Sequence, residues 1–268
     1  MVLKILLYLI VCMGFIELLR RSKTAYILVF FVVPLFGLPW IIKNMEAHFN
    51  GDLFLYAKIY SVAVGALFMF MGRFTKFGET KWYGLTLYTV LAINILEAMI
   101  KDSVGGHYLN AISGLLVILT APMPHTYGVR KHENGVVDNT AHYTRPWILL
   151  YTFWNLTFVY NAYNLIWPIH IALLGAPLLI TGLWRPEIWI MGRVFTLGPH
   201  VVFRYLYFPF YTLLQIFEDS KPDSQTSLIM QGVTLGLGFF VVYQNIIGPR
   251  LKKGKEENKE IKSEESAA

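Results

Sequence analysis

Four polar side chains interrupt long apolar stretches of the chain and could together bind or move a charged ligand. Lys58, Asn94, Glu97 and Asn161 each lie inside such a stretch. A charged side chain at the centre of a membrane-spanning helix costs about 2.5 to 3.5 kcal/mol, so such groups usually pair or mark a functional site. Lys58 and Glu97 could hold a charged ligand or transfer a proton, while the asparagines could donate and accept hydrogen bonds.

The depths of these residues along their predicted helices place them in one layer. At about 1.5 Å per residue, Lys58 lies roughly 8 Å below the outer end of its helix, and Glu97 and Asn161 lie roughly 21 Å above the inner ends of theirs. Asn94 lies one turn from Glu97 on the same helical face. An ion pair between Lys58 and Glu97 that only fixes helix packing is the alternative. We predict an outward-opening polar pocket with six candidate residues: Lys58, Asn94, Glu97, Tyr160, Asn161 and Trp154.

A second set of ionisable residues follows one helical face nearer the C-terminus. Arg193, His200 and Arg204 recur at i, i+7 and i+11 and therefore share that face. The dipeptide Gly198-Pro199 predicts a break in the helix, and a broken helix frees backbone groups at membrane depth. One interpretation is that this face lines a site that binds anions or takes part in proton-coupled transport. The alternative is that Arg193 extends to the membrane surface and only Arg204 needs an internal partner.

The sequence lacks the motifs of several other chemistries. It has no Walker loop, HExxH, GxSxG, paired CxxC or aspartate-rich diphosphate motif, which argues against hydrolases, ATPases and classical prenyl transferases. His125, His132, His142 and Asp138 lack the spacing of a zinc site, so we predict a solvated loop there, without metal or cofactor. The single cysteine, Cys12, excludes an intramolecular disulfide.

Composition indicates a membrane protein. Apolar residues make up 55% of the chain and charged residues only 15%, against about 25% charged residues in a soluble domain. The net charge of +6 comes from short basic clusters between apolar blocks and from the tail, which is typical of membrane topology rather than of nucleic-acid binding. We therefore expect the lipid bilayer and a small-molecule or lipid ligand as partners, and no nucleic acid. The oligomeric state stays open.

Apolar blocks of bilayer-spanning length, about 20 residues, predict an all-α, polytopic transmembrane bundle in residues 1–247. A first block cleaved as a signal peptide would leave eight spans instead of nine. The fifth block is short enough to be re-entrant, and the eighth is long enough to be tilted, broken or double. The composition of residues 248–268, rich in Lys and Glu, predicts a basic, disordered cytoplasmic tail. The nine predicted spans are Val2–Leu19, Ala25–Ile42, Leu53–Gly72, Tyr83–Ile100, Leu109–Met123, Pro146–Asn164, Pro168–Leu183, Glu187–Phe217 and Ser227–Ile247.

The placement of basic residues predicts the orientation. Sixteen of the 23 lysines and arginines fall on one side of the nine spans, four on the other and three inside spans. Because cytoplasmic loops carry the excess, we predict a multi-pass protein of the cell membrane with its N-terminus outside and its C-terminus in the cytoplasm. Tryptophan favours the membrane interface. Six of the seven fall at predicted span ends: Trp40, Trp82, Trp147, Trp167, Trp184 and Trp189.

Three segments on the third, fourth and sixth spans carry a resemblance to a known family. The segments are Lys58-Ile59-Tyr60-Ser61, Ala92 to Asp102 and Trp154 to Asn161. With them, most of the chain up to the tail resembles an uncharacterised group of bacterial polytopic membrane proteins that carry a domain of unknown function. The resemblance implies a helical membrane fold and no assigned activity, so it supplies no catalytic residues. Its segments contain all six residues of the predicted pocket.

Three functions fit the sequence. The first is translocation of a small molecule or ion, with Lys58 and Glu97 as charge-bearing or proton-coupling groups. The second is a membrane-embedded enzyme for a lipid or isoprenoid, with Glu97 as acid or base and Trp154 and Tyr160 stabilising positive charge. The third is a helical scaffold whose polar groups only pack. A water-filled path favours translocation, a closed apolar pocket open to lipid favours the enzyme, and a fully paired cluster favours the scaffold.

Overall fold

The computed structural model describes residues 2–36, 53–162, 167–206 and 222–251, with backbone alone for residues 53–59 and 204–206. The described residues are mostly helical, as the sequence predicts. Their nine helices are α1 Val2–Arg21, α2 Lys23–Phe36, α3 Leu53–Phe74, α4 Lys81–Val104, α5 Tyr108–Leu119, α6 Arg145–Ala162, α7 Trp167–Gly182, α8 Trp189–Leu206 and α9 Ser224–Leu251. Short 3₁₀ turns at Lys76–Glu79, Pro124–Thr126 and Pro186–Ile188 join some of them.

A two-stranded hairpin lies between α5 and α6, where the sequence predicts a loop. Strand β1 spans Gly128–Lys131 and β2 spans Val137–Thr140. They pair antiparallel, with Gly128 opposite Thr140 and Lys131 opposite Val137. Gly135 in the connecting turn has a φ of 79°, a conformation that glycine adopts without steric cost. The hairpin is a small addition to an otherwise helical chain.

Hydrogen bonds to the hairpin show which helix ends lie together. Arg20 at the end of α1 binds Asp138, and Arg73 at the end of α3 donates to the Val137 carbonyl. Tyr83 near the start of α4 donates to Asn139. The C-terminal ends of α1 and α3 and the N-terminal end of α4 therefore share one end of the bundle, which we call the hairpin end. Helices α1 and α3 therefore run toward the hairpin end, and α4 runs away from it.

Neighbouring helices pack into a bundle around an aromatic core. α1 packs against α7 and α8, α3 against α4 and α8, and α9 against α5 and α6. Near the hairpin end, the Trp147 and Trp189 rings meet edge to face at 5.3 Å between centroids. Both are buried in the core under the hairpin, and both lie at the starts of their helices, α6 and α8, where the sequence predicts span ends. Their place at a membrane interface stays a prediction. Trp82 and Trp184 are exposed at helix ends as predicted.

Helix α9 buries mainly small or polar residues and exposes large apolar ones, while α4 carries large apolar residues on both its buried and its exposed faces. On α9 the buried face includes Ser227, Gln231 and Thr234. In water the opposite pattern is normal, since apolar residues face the core. The exposed face of α9 carries Leu228, Ile229, Val233, Phe239 and Phe240, and that of α4 carries Leu85, Ile93, Leu96 and Ile100.

Three helices are long and apolar enough to cross a membrane: Val2–Arg21, Lys81–Val104 and Ser224–Leu251. Four shorter apolar helices accompany them in the described ranges: Lys23–Phe36, Tyr60–Phe74, Tyr108–Leu119 and Trp167–Gly182. α5 has 12 residues, about 18 Å of helix, which is too short to cross a hydrocarbon core of about 30 Å alone. The complete nine-span topology stays a prediction.

The eighth predicted span differs from the structure at both ends and in its middle. The helix begins at Trp189 rather than Glu187, and the predicted segment beyond Leu206 falls outside the described residues. The expected break at Gly198-Pro199 is wrong, because α8 remains helical through both residues. Gly198 instead allows close packing, since a Cβ there would collide with the Phe30 ring of α2.

Candidate functional site

A cavity of about 60 Å³ lies between α3, α4, α6 and α8. Its lining is mostly apolar, with Ser61, Asn94, Tyr151 and Arg193 supplying the polar groups. A cavity of this volume has room for roughly four water molecules or one small solute. Apolar walls with a few convergent polar groups are typical of small-molecule sites.

Asn94 and Arg193 line the same cavity although the sequence analysis places them in two separate sets. Asn94 comes from the fourth predicted span and Arg193 from the eighth. They share a cavity because α4 and α8 both pack against α3. The structure therefore joins one member of the predicted pocket to one member of the predicted stripe.

A chain of hydrogen bonds connects α3 to α4 at the rim of this cavity. The Asn94 amide donates to Ser61 Oγ at 3.4 Å, and Ser61 Oγ donates to Glu97 Oε2 at 3.2 Å. Asn94 and Glu97, which the sequence places on one helical face, therefore both contact Ser61. Sequence analysis missed Ser61, although a polar residue three positions after Lys58 shares its helical face.

Arg193 is the charged residue among the lining side chains. Its side chain is buried, with the residue only 4% exposed. Nη2 donates to Asn155 Oδ1 at 3.4 Å, a long bond. Nε and Nη1 are buried without a hydrogen-bond partner among the described residues. The expectation that Arg193 extends to the membrane surface is therefore wrong, since its guanidinium remains inside the bundle.

Asn161 and Tyr160 lie near the N-terminal end of α9 rather than beside Glu97. Ser227 Oγ donates to Asn161 Oδ1 at 2.6 Å. The Tyr160 hydroxyl accepts a hydrogen bond from the backbone N–H of Asp223 at 2.8 Å. These contacts join α6 to α9, and neither residue lines the cavity.

Trp154 is fully buried between α5 and α6. Its indole N–H donates to the Asn110 carbonyl at 3.0 Å, and its ring stacks on Phe158. Asn110 also donates to Asp102 at 2.7 Å, a buried polar pair that the sequence analysis missed. Trp154 thus packs the α5–α6 contact and is absent from the described lining of the cavity.

Lys58 and Arg204 are helical in α3 and α8, but their side chains fall outside the described residues. The proposed partnership of Lys58 with Glu97 therefore stays a prediction.

His200 contacts side chains of α1 and α7. Its Nδ1 lies 2.9 Å from the Tyr8 hydroxyl, and its ring lies edge to face with His170 at 5.5 Å between centroids. Arg193 and His200 are both buried on one side of α8, as their spacing predicts, but they meet different neighbours. The stripe therefore does not form one continuous lining in the part of α8 whose side chains are described.

A buried cluster of charges anchors the hairpin to the helices. The Arg20 guanidinium donates to both carboxylate oxygens of Asp138, at 2.7 and 2.8 Å, and His132 Nε2 lies 2.8 Å from Asp138 Oδ2. Burial alone would raise the pKa of Asp138, but the Arg20 hydrogen bonds and charge, with His132, hold that pKa below its usual value. The predicted solvated loop is wrong for Asp138, which is 2% exposed.

Arg73 completes this hairpin cluster from α3. It is buried, and its guanidinium lies over the Phe74 ring at 4.9 Å. It donates to the backbone carbonyls of Val137, Leu19 and Arg20. These bonds satisfy carbonyls near the C-terminal end of α1, where a cation also complements the helix dipole. The cluster connects the hairpin to α1 and α3, and it lies outside the described lining of the cavity.

Comparison with known families gives a match over nearly the whole chain. A model described as a family of unknown function, DUF5692, matches residues 1–106 and 103–266. No curated protein and no solved structure matches the sequence. The predicted resemblance to an uncharacterised family with a domain of unknown function is confirmed, while the bacterial origin and the membrane nature of that family stay predictions. The chain belongs to the family of unknown function DUF5692.

Proposed function

We propose that the chain is a multi-pass protein of the cell membrane that binds a small solute in the cavity and carries it across the bilayer. The membrane assignment is supported by the exposed faces of α4 and α9, which carry large apolar side chains, and by the buried polar face of α9. In lipid this pattern is favourable, because polar groups find partners only inside the bundle.

The orientation is supported by the charges at the hairpin end. Arg20, Arg73, Arg130 and Lys131 lie there, and contacts such as Arg130 with Glu187 draw the start of α8 to the same end. Cytoplasmic loops carry an excess of basic residues. We therefore place the hairpin end in the cytoplasm.

One observation carries the proposed solute site: the cavity brings Ser61, Asn94 and Arg193 from three helices into an apolar lining. A scaffold would need its buried charge paired, because an uncompensated charge in the bundle is costly. The Arg193 guanidinium keeps two N–H groups without partners among the described residues. Its charge is therefore incompletely compensated among the described residues, unlike the fully paired cluster that a scaffold predicts.

Translocation fits the cavity better than lipid chemistry does. The enzyme hypothesis needs Glu97 as acid or base at the reacting centre. Glu97 binds Ser61 but is absent from the described lining of the cavity. The cavity lies between four helices near the middle of the bundle, which is where transporters hold their substrates.

Flux through proteoliposomes tests the proposal. Purified protein is reconstituted, and uptake is followed for chloride, nitrate and formate, for sodium and potassium, and for glycerol and urea. We expect one class to pass faster than in empty liposomes, with Asn94→Leu reducing that flux at least about tenfold. The matched control is Asn245→Leu on α9, outside the cavity, which should retain the flux. Equal flux in protein-containing and empty liposomes for every solute would contradict translocation.

A further inference from the structure

Asp102 and Asn110 form a buried polar pair at the end of the bundle opposite the hairpin, where α4 meets α5. Asp102 is 2% exposed, and Asn110 is fully buried. The Asn110 amide nitrogen donates to Asp102 Oδ2 at 2.7 Å and to the Trp154 carbonyl at 3.4 Å. Because a backbone carbonyl can only accept, the NH₂ group of Asn110 and not its oxygen must lie on this side.

Each member of this pair keeps one acceptor without a donor. Asp102 Oδ1 and Asn110 Oδ1 are both buried and have no hydrogen-bond partner among the described residues. An ionised carboxylate and an amide oxygen only accept hydrogen bonds, so the two groups cannot satisfy each other while Asp102 is charged. A buried charge without a partner is costly, and so is a buried acceptor without a donor. An ionised Asp102 therefore combines both costs.

The helices packed against this part of α4 present neutral side chains or place their charges at another level. α5 presents Asn110 and α6 presents Trp154, both uncharged. On α3, the sequence predicts Lys58 at the depth of Glu97, which is about 7.5 Å along α4 from Asp102. Among the described residues, Asp102 thus has a hydrogen bond to a neutral group in place of an ion pair.

Two titratable side chains are close to Asp102 in sequence. Lys101 precedes it on α4, and His107 follows it just before α5. The Asp102 backbone carbonyl accepts the His107 N–H at 2.8 Å, while the His107 ring lies against α9, with Nδ1 3.5 Å from Gln231 Nε2. Neither side chain pairs with the Asp102 carboxyl group, whose described side-chain partner is Asn110.

We propose that Asp102 binds a proton in the folded protein and donates it to Asn110, which makes the pair a proton-binding site. The carboxylate takes up one proton from water and becomes a neutral carboxylic acid. The proton belongs on Oδ1, because Oδ2 already accepts the Asn110 N–H, and the new O–H provides the donor that Asn110 Oδ1 lacks. One proton thus removes the buried charge and gives both unpartnered oxygens a hydrogen bond.

A proton can reach and leave this site although the pair is buried. It needs no space beyond an O–H bond, so close packing around Oδ1 does not exclude it. Asp102 lies two residues before Val104, which is 85% exposed, and helix ends open locally at low cost in free energy. Neither Asp102 nor Asn110 belongs to the described lining of the cavity, so this inference is independent of the proposed solute site.

Infrared spectroscopy of the full chain tests this inference. The protein is labelled with carbon-13 in the side-chain carboxyl group of aspartate, which separates protonated aspartate from protonated glutamate, and is reconstituted in liposomes. We expect a carboxylic-acid C=O band of aspartate at neutral pH that shifts in D₂O and is lost in Asp102→Asn. The matched control is Asp223→Asn, since Asp223 is exposed just before α9, and this variant should keep the band. A wild type without the band at neutral pH, or a band that persists in Asp102→Asn, would overturn the inference.

A second variant keeps the inference testable should Asp102→Asn fail to fold. Asn110→Ala retains Asp102 but removes the group that accepts its proton. The acid band should then move or disappear, because the carboxyl group loses both hydrogen bonds to Asn110. An acid band at the same position in wild type and Asn110→Ala would overturn the proposed donation to Asn110.

Proton uptake on folding also predicts how stability depends on pH. An unfolded aspartate titrates near about pH 3.9, so between about pH 5 and 7 the folded chain holds a proton at Asp102 that the unfolded chain has released. The folding equilibrium constant of wild type relative to that of Asp102→Asn should therefore fall about tenfold per pH unit in this interval. Unfolding in mixed SDS micelles measures both constants. A ratio that does not change with pH would overturn the inference.

Discussion

Arg20 and Asp138 form a buried, bidentate ion pair across 118 positions of sequence, with Nε to Oδ1 at 2.7 Å and Nη2 to Oδ2 at 2.8 Å. The pair fixes the hairpin to the end of α1. Because α3 and α4 bind the same hairpin through Arg73 and Tyr83, this ion pair helps to hold three helices in register. The cavity lies between two of these helices, α3 and α4, together with α6 and α8.

Removal of Arg20 should destabilise the protein strongly. Arg20→Met leaves the buried Asp138 carboxylate without its main partner, which typically costs about 3 to 5 kcal/mol. The neighbouring Arg21 is exposed and pairs with Glu17, so Arg21→Met should cost less than about 1 kcal/mol. Unfolding in mixed SDS micelles measures both values. Similar losses for the two variants would show that the ion pair does not anchor the hairpin.

Acid should weaken the same ion pair. The folded-state pKa of Asp138 lies below its ordinary value of 3.8, so its contribution to stability is complete above that value and is lost as pH falls through the folded pKa. Asp138→Asn lacks this titration but keeps the shape of the side chain. We expect the melting temperatures of wild type and Asp138→Asn to differ at neutral pH and to converge as pH falls through the folded pKa of Asp138. A difference that keeps its neutral-pH size down to the most acidic pH at which both proteins stay folded would contradict this assignment.

Any side chain at position 198 should lower the stability of the protein. A Cβ at this position would collide with the Phe30 ring, and overpacking of this kind costs about 1 to 3 kcal/mol. Gly198→Ala should therefore lower the melting temperature, and adding Phe30→Leu should restore part of it. Gly232→Ala on α9 is the matched control, since a Cβ there meets nothing within 4 Å among the described residues. Equal effects of the two alanines would refute close packing of α2 on α8.

The hairpin end should face the cytoplasm. Glu133 at the hairpin tip and Ser103 at the end of α4 are both exposed and lie at opposite ends of the bundle. In a Cys12→Ala background, an impermeant maleimide added to intact cells should label Ser103→Cys, and should label Glu133→Cys only after permeabilisation. The reverse labelling pattern would invert the proposed orientation.

The apolar blocks of the sequence predict the long helices, because each block has the length of one membrane-spanning helix. α1, α4 and α9 accordingly begin and end within a few residues of the predicted spans. The hairpin could not be predicted, because the β2 sequence Val-Asp-Asn-Thr lacks the alternation of apolar and polar residues that is typical of a strand. Its burial depends on Arg20 and Tyr83, which are distant in sequence.

Depth along a helix predicts the height of a residue but not its neighbours. Asn94 and Asn161 reach a similar layer by rise per residue, yet Asn94 contacts Ser61 and Asn161 contacts Ser227. Which helices are adjacent depends on long-range packing that one sequence does not show. Arg193 was assigned to a different set of residues for the same reason, although it shares a cavity with Asn94.

Accessibility of the cavity to a small polar reagent tests the central claim most directly. Leu197 lines the cavity on α8, while Leu85 lies on the exposed apolar face of α4. In reconstituted Cys12→Ala protein, a small charged methanethiosulfonate should modify Leu197→Cys. Leu85→Cys, facing lipid, should not react. A Leu197→Cys side chain as unreactive as Leu85→Cys would contradict a solute site inside the bundle.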